Sequence, residues 1–88
     1  CCSDVYAVAA TMVCGQLGRP IPESIKIIGY DNTNLSAMTT PKLTTVSHDK
    51  YQIGYLAAEL IINQNLYPNK PMSKIILDTE LIIRGSTM

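Results

Sequence analysis

The sequence feature that most constrains the fold is a short apolar run that ends in a carboxylate. Residues 25–30 are almost all apolar, and Asp31 follows them directly. A continuous apolar run of this length is typical of a parallel strand that is covered on both faces. In open parallel α/β sheets, ligands bind just beyond the carboxyl ends of the strands. The run therefore predicts such a sheet and places Asp31 where a polar ligand would be bound.

Helical and strand-like patterns alternate along the rest of the chain. Residues 5–17 and 50–63 carry apolar side chains at helical spacing, and residues 35–38 predict a helical turn. Strands are predicted over 43–46, 74–77 and 80–84, of which the last two can also be one bent strand broken near Asp78 and Thr79. Cys1 and Cys2 are predicted to end a buried strand. This alternation favours an α/β fold with a mainly parallel sheet.

Two capping signals mark the predicted helix starts. Ser3 or Asp4 can cap the first helix with a side-chain oxygen. The second helix begins with a pattern like a capping box, with Asp49 at the cap and Gln52 three residues later.

Composition excludes several classes of protein. The 88 residues allow one small domain, and the apolar fraction of 47% is too high for a disordered chain. The seven acidic and seven basic residues balance, and the bases are scattered, so we do not expect this segment to contact DNA. No apolar run is long enough to span a membrane. The three cysteines match no zinc pattern, and we expect them to be small buried side chains in a reducing cytoplasm.

The candidate ligand-binding residues each have an alternative structural role. Asp31 can accept hydrogen bonds from two hydroxyl groups of a polar ligand, but aspartate is also a common turn residue after a strand. Ser3 and Asp4 can bind a ligand or simply cap a helix, and Tyr6 can pack on a ligand or be a half-buried tyrosine. No nucleophile–base pair, phosphate loop or metal-ligand set is visible, so neither an enzyme nor a cofactor is predicted.

Several segments together resemble one known family. They are Ile27-Ile-Gly-Tyr-Asp31, Pro41-Lys-Leu-Thr-Thr-Val46, Ile53-Gly-Tyr-Leu-Ala-Ala58 and Leu81-Ile-Ile-Arg-Gly-Ser-Thr87. In this order they resemble the C-terminal part of the effector domain of LacI/GalR-type bacterial transcription regulators. The resemblance implies a three-layer αβα fragment of a type I periplasmic-binding-protein-like core. We therefore expect the chain to be part of a longer protein.

The resemblance also implies a function and a set of site residues. It implies a cytoplasmic homodimeric repressor that binds a sugar or sugar phosphate and contacts operator DNA only through an N-terminal domain outside this chain. Asp31, Ser3, Asp4, His48 and Tyr6 would bind the effector. Ser3 stands where the family usually has Asn, and His48 stands where it often has Gln, although His48 can also be a plain surface residue.

The resemblance further implies how the chain divides and dimerises. Residues 1–47 and 75–88 would belong to the C-terminal lobe, and the helix over 50–63 would belong to the N-terminal lobe. The dimer interface would include Val8, Leu35, Met38 and Thr39. A sugar-binding protein of a transport system with the same fold is the alternative function, and an upstream signal peptide would distinguish it from a repressor.

Overall fold

The computed structural model describes residues 1–71 and 73–88. The sequence over residues 65–73, with its two prolines, predicts a loop, and Met72 within it lies outside the described residues. The chain divides into two compact units, the first formed by Cys1–His48 with Thr79–Met88 and the second by Asp49–Asp78. The assignment of residues to two lobes of a larger core stays a prediction.

The first unit contains one helix, a short 3₁₀ turn and a three-stranded sheet. Helix α1 spans Asp4–Gln16, strand β1 spans Ile28–Tyr30, and the 3₁₀ turn spans Asn34–Ala37. Strands β2 and β3 span Thr44–Ser47 and Glu80–Ile82. The strand order is β1-β2-β3, in which β1 pairs parallel with β2 and β2 pairs antiparallel with β3. The α/β alternation is as predicted, but the described part of the sheet is mixed.

The apolar core of the first unit is small. Ala7, Ile27 and Leu43 are buried, and Ala10, Cys14 and Ile21 pack against them. Helix α1 thus faces the core with its alanines, because small side chains allow the close approach of helix to strand. Other apolar residues of α1 at helical spacing do not face the core, since Val5, Met12 and Val13 are all exposed. Apolar residues occur on more than one face of α1, so periodicity alone did not identify the buried face.

Three strand predictions are wrong in detail. Cys1 and Cys2 are exposed and form no strand, although the Cys1 ammonium group donates a hydrogen bond to the Ile28 carbonyl at 2.8 Å. Residues 74–77 form no strand, since apolar and β-branched composition does not suffice without a pairing neighbour. Strand β1 is shorter than predicted and alternates in burial, with Ile28 and Tyr30 about two-fifths exposed.

The second unit is dominated by helix α2, which spans Lys50–Leu66. Asp49 caps it as predicted, because the Asp49 Oδ1 atom accepts a hydrogen bond from the Gln52 N–H at 2.9 Å. The helix continues three residues beyond its predicted end, and none of its residues is buried. Within the described residues, neither helix combines the length and apolar character needed to cross a membrane.

Candidate effector site

Asp31 lies directly after β1, at the carboxyl end of the strand, as the sequence predicts. Its backbone N–H donates to the Val46 carbonyl at 2.9 Å, which ties the residue to β2. Asp31 has a φ of 110° and Asn32 a φ of 50°. Residues other than glycine rarely adopt such angles, which cost about 1–3 kcal/mol and persist only where the surroundings impose them. Strain of this kind is concentrated at binding and catalytic sites.

His48 follows β2 and contacts the Asp31 side chain. The His48 Nε2 atom lies 2.7 Å from Asp31 Oδ1. An ionised carboxylate can only accept, so Nε2 carries the hydrogen and donates it. The Tyr30 ring stacks on the imidazole with 5.6 Å between the ring centroids. Because β1 and β2 are parallel neighbours, their carboxyl ends bring Asp31 and His48 together although they are 17 positions apart.

Asp4 is fully buried and has its own set of donors. Its Oδ2 atom accepts from the Thr33 N–H at 2.7 Å and the Thr33 hydroxyl at 3.0 Å, and its Oδ1 accepts from the Thr45 hydroxyl at 2.7 Å. The carboxylate therefore joins the start of α1 to the segment after Asp31 and to β2. No surface of Asp4 is open to a ligand in this conformation, so the geometry gives it a structural role.

The predicted capping of α1 by a side chain is wrong. Ser3 occupies the N-cap position, but its hydroxyl forms no capping hydrogen bond. Asp4 is the first residue of α1, and its carboxylate turns toward Thr33 and Thr45 instead. The Asp4 carboxylate thus accepts from three donors of Thr33 and Thr45 and not from the amides of its own helix.

Gly29 makes the position of Asp4 possible. A Cβ atom at Gly29 would collide with Asp4 Oδ1 and would lie 2.9 Å from Leu43 Cδ2. Both neighbours are buried, so neither can move aside into solvent. Glycine is therefore required where β1 passes the buried carboxylate.

A second polar cluster, formed by Asn32, Ser36 and Arg84, was not identified as functional from the sequence. The Arg84 guanidinium donates to Asn32 Oδ1 at 3.0 Å and to the Ser36 hydroxyl at 2.8 Å. It also donates to the Leu43 carbonyl at 2.9 Å. The sequence feature that could have revealed this cluster is Arg84, since an arginine among apolar strand residues needs several hydrogen-bond acceptors nearby.

The remaining predicted site residues, Ser3 and Tyr6, lie at the start of α1. Ser3 is half-buried, and Tyr6 is 62% exposed on α1, where it takes part in neither of the ring contacts among the described residues. Cavities of about 90 and 510 Å³ lie in the second unit, and none of the predicted site residues lines them.

The predicted interface residues lie on the first unit. Leu35 and Met38 are exposed, Val8 is half-buried, and the Thr39 hydroxyl donates to the Pro41 carbonyl at 2.9 Å. Their role in a dimer stays a prediction.

Comparison with known proteins identifies the family. The family model of the periplasmic binding protein-like domain matches residues 1–87. The chain belongs to this family. A solved structure, that of the transcriptional regulator CelR in complex with cellobiose, superposes with a TM-score of 0.91 at 27% identity, covering 97% of this chain and 26% of that one. A LacI family regulator from Enterococcus faecium with bound ribose gives a TM-score of 0.85 at 30% identity, covering 98% of this chain and 32% of that one. The predicted fold class is thereby confirmed.

The similar curated proteins are transcriptional repressors. The repressor CytR of Escherichia coli strain K12 is 39% identical over 87 residues, which cover 99% of this chain and 26% of CytR. The ribose operon repressor of Haemophilus influenzae is 34% identical over 86 residues, covering 98% of this chain and 26% of that protein. The chain therefore spans about a quarter of the length of these relatives. The predicted resemblance to LacI-type regulators is confirmed.

Proposed function

We propose that this chain is the effector-binding and dimerisation part of a bacterial transcriptional repressor, and that it carries no enzymatic activity. The observation that carries the proposal is the Asp31–His48 pair, in which Asp31, with its positive φ, holds its carboxylate against His48 at the carboxyl ends of two adjacent parallel strands. The repressor relatives and the sugar-bound neighbours support the same function. Operator DNA would be contacted by a domain outside this chain, in a cytoplasmic homodimer.

The chemistry of the pair suits a sugar or a sugar phosphate. A carboxylate accepts hydrogen bonds from adjacent hydroxyls and so orients a sugar ring as well as binding it. His48 donates to one Asp31 oxygen and restricts rotation of the carboxylate. Asp31 and His48 would contact the effector directly, with Ser3 and Tyr6 at the margin of the site, and Asp4 would support the segment that follows Asp31.

The proposed switch is closure of two lobes on the effector. The first unit would form part of one lobe, and residues 50–63 would belong to the other. An effector that contacts both lobes binds the closed arrangement more tightly and so shifts the population toward it. That shift would alter the affinity of the DNA-binding domain for its operator.

The proposal is tested with the gene product that contains this chain. Binding of ribose and cellobiose, within a wider panel of sugars and sugar phosphates, is measured by calorimetry for the wild type and for Asp31→Asn. One hydrogen bond to a charged group contributes ~1.5–3 kcal/mol, so we expect the affinity for the bound sugar to fall roughly 10- to 150-fold. Asp78→Asn, at an exposed position of the second unit, is the matched control and should bind as the wild type does.

Operator binding provides the second readout. Asp31→Asn should still bind operator DNA in a gel-shift assay, but its release should need roughly 10- to 150-fold more sugar than release of the wild type. Wild-type sugar affinity in Asp31→Asn would remove Asp31 from the site. A wild-type protein that bound neither operator DNA nor any member of the panel would contradict the proposed function as a whole.

Dimerisation is tested at the exposed apolar surface of the first unit. Met38 is 76% exposed, and a charge in a buried apolar interface is strongly unfavourable, so Met38→Glu should convert the dimer to a monomer in sedimentation experiments. Ile76→Glu, at an equally exposed apolar residue of the second unit, should remain a dimer. Unchanged sedimentation of Met38→Glu would place the interface elsewhere.

A further inference from the structure

Arg84 connects the last segment of the chain to the turn that carries Asp31. Its Nη2 group donates to Asn32 Oδ1, and its Nη1 group donates to the Ser36 hydroxyl and the Leu43 carbonyl. The guanidinium is planar and its donors point in fixed directions, so it can hold three acceptors in one arrangement. A lysine at this position would offer a point charge without that fork.

Asn32 is the residue through which Arg84 reaches Asp31. Asn32 is in the left-handed region and directly follows Asp31, which also has a positive φ. The Asn32 side chain is held at both ends, since its Oδ1 accepts from Arg84 and Ser36 and its Nδ2 donates to the Ser47 hydroxyl at 3.4 Å. Two consecutive residues with positive φ relax unless such contacts oppose the strain.

The main chain of Arg84 is equally well fixed. Its N–H donates to the Thr44 hydroxyl at 2.8 Å, and its carbonyl accepts from the same hydroxyl at 3.1 Å. Thr44 is buried in β2, so the guanidinium projects from an anchored backbone. The Arg84 guanidinium can therefore fix the position of the Asn32 side chain, because its own backbone is held independently of Asn32.

We propose that Arg84 is a positioning residue of the candidate effector site: through Asn32, it holds the Asp31 carboxylate against His48 in the orientation that ligand recognition requires. This inference deepens the proposed function and rests on it for the meaning of the site. Its test uses the protein without any sugar, so the two can fail separately.

The test follows the His48 imidazole by long-range ¹H–¹⁵N NMR in the ¹⁵N-labelled gene product that contains this chain. The resonances are assigned by their disappearance in His48→Gln. The wild type should show a hydrogen-bonded Nε2–H, which is the hydrogen donated to Asp31. In Arg84→Lys we expect loss of that protected Nε2–H signal, because the ammonium group cannot bridge Asn32 with Ser36 and Leu43. Arg19→Lys, at an exposed arginine, is the matched control and should leave the signal unchanged.

A second variant keeps the proposal testable if Arg84→Lys fails to fold. Asn32→Gly removes the acceptor of Arg84 while glycine tolerates the positive φ. It should also weaken the Nε2–H signal, and adding Arg84→Lys in that background should cause no further change. An unchanged His48 signal in Arg84→Lys, with only a lower melting temperature, would reduce Arg84 to a structural residue and overturn the proposal. Additive effects of the two substitutions would overturn it as well, because Arg84 would then act independently of Asn32.

Discussion

The role of the buried Asp4 carboxylate can be tested with two substitutions that remove the same negative charge but differ in the hydrogen bonds they keep. Asp4→Ala removes all three hydrogen bonds to Thr33 and Thr45 and leaves their donors without a partner. Bonds to a charged acceptor contribute ~1.5–3 kcal/mol each, but two of them come from one residue and are not independent. We therefore expect Asp4→Ala to lower the free energy of unfolding by about 3–5 kcal/mol.

Asp4→Asn removes the same charge but should cost far less. The Asn oxygen can replace Oδ2 and keep both bonds from Thr33, while its amide group donates to the Thr45 hydroxyl, which reverses the direction of one bond. We expect a loss of about 1 kcal/mol.

The assay is urea unfolding of the gene product that contains this chain, followed by circular dichroism, with the m-values compared among variants. If Asp4→Ala lost less than about 1 kcal/mol, the three bonds would not hold the site together. If Asn were as damaging as Ala, the charge of Asp4 and not its bonding geometry would be the important property.

Three further substitutions, the first with a glycine control, test the packing around the site and the start of α2. Gly29→Ala must displace Asp4 or Leu43 and should cost about 1–3 kcal/mol in urea unfolding, whereas Gly15→Ala, with open space around it, should be neutral or stabilising. Leu43→Ala truncates a fully buried apolar side chain and should cost about 2–5 kcal/mol by the same measurement. Asp49→Ala removes the α2 cap and should destabilise the first turn by ~1 kcal/mol, seen as roughly five-fold faster hydrogen exchange of the Gln52 amide.

Local sequence signals predicted those features that depend on neighbouring residues. The start of α2 is such a case, because Asp49 and Gln52 are three positions apart and the cap needs no other segment. The position of Asp31 is a second case, since a residue that directly follows an apolar strand lies at the carboxyl end of that strand, whichever strands pair with it. The family resemblance added His48, which the structure places against Asp31.

Features that depend on distant residues could not be predicted in this way. Arg84 bonds Asn32 and Ser36 across 52 and 48 positions, and no periodicity relates them. The buried face of α1 was missed for a similar reason, because Ala7 and Ala10 are selected by the closeness of the sheet and not by their hydrophobicity. Residues 74–77 have the composition of a strand, but pairing with a neighbour decides whether a strand forms.

The candidate site is held together by hydrogen bonds more than by apolar packing. Among the described residues, the buried apolar set is only Ala7, Ile27 and Leu43, whereas the buried polar set is Asp4, Ser36, Thr44, Thr45 and Ser86. Hydrogen bonds are directional and apolar contacts are not, and a buried polar group left without a partner is costly. A satisfied network of this kind therefore permits few alternative arrangements. Arg84→Lys nearly conserves side-chain volume but changes the number and direction of the hydrogen-bond donors. We therefore expect it to alter the orientation of the Asp31 side chain more than the packing of the residues around Asp31.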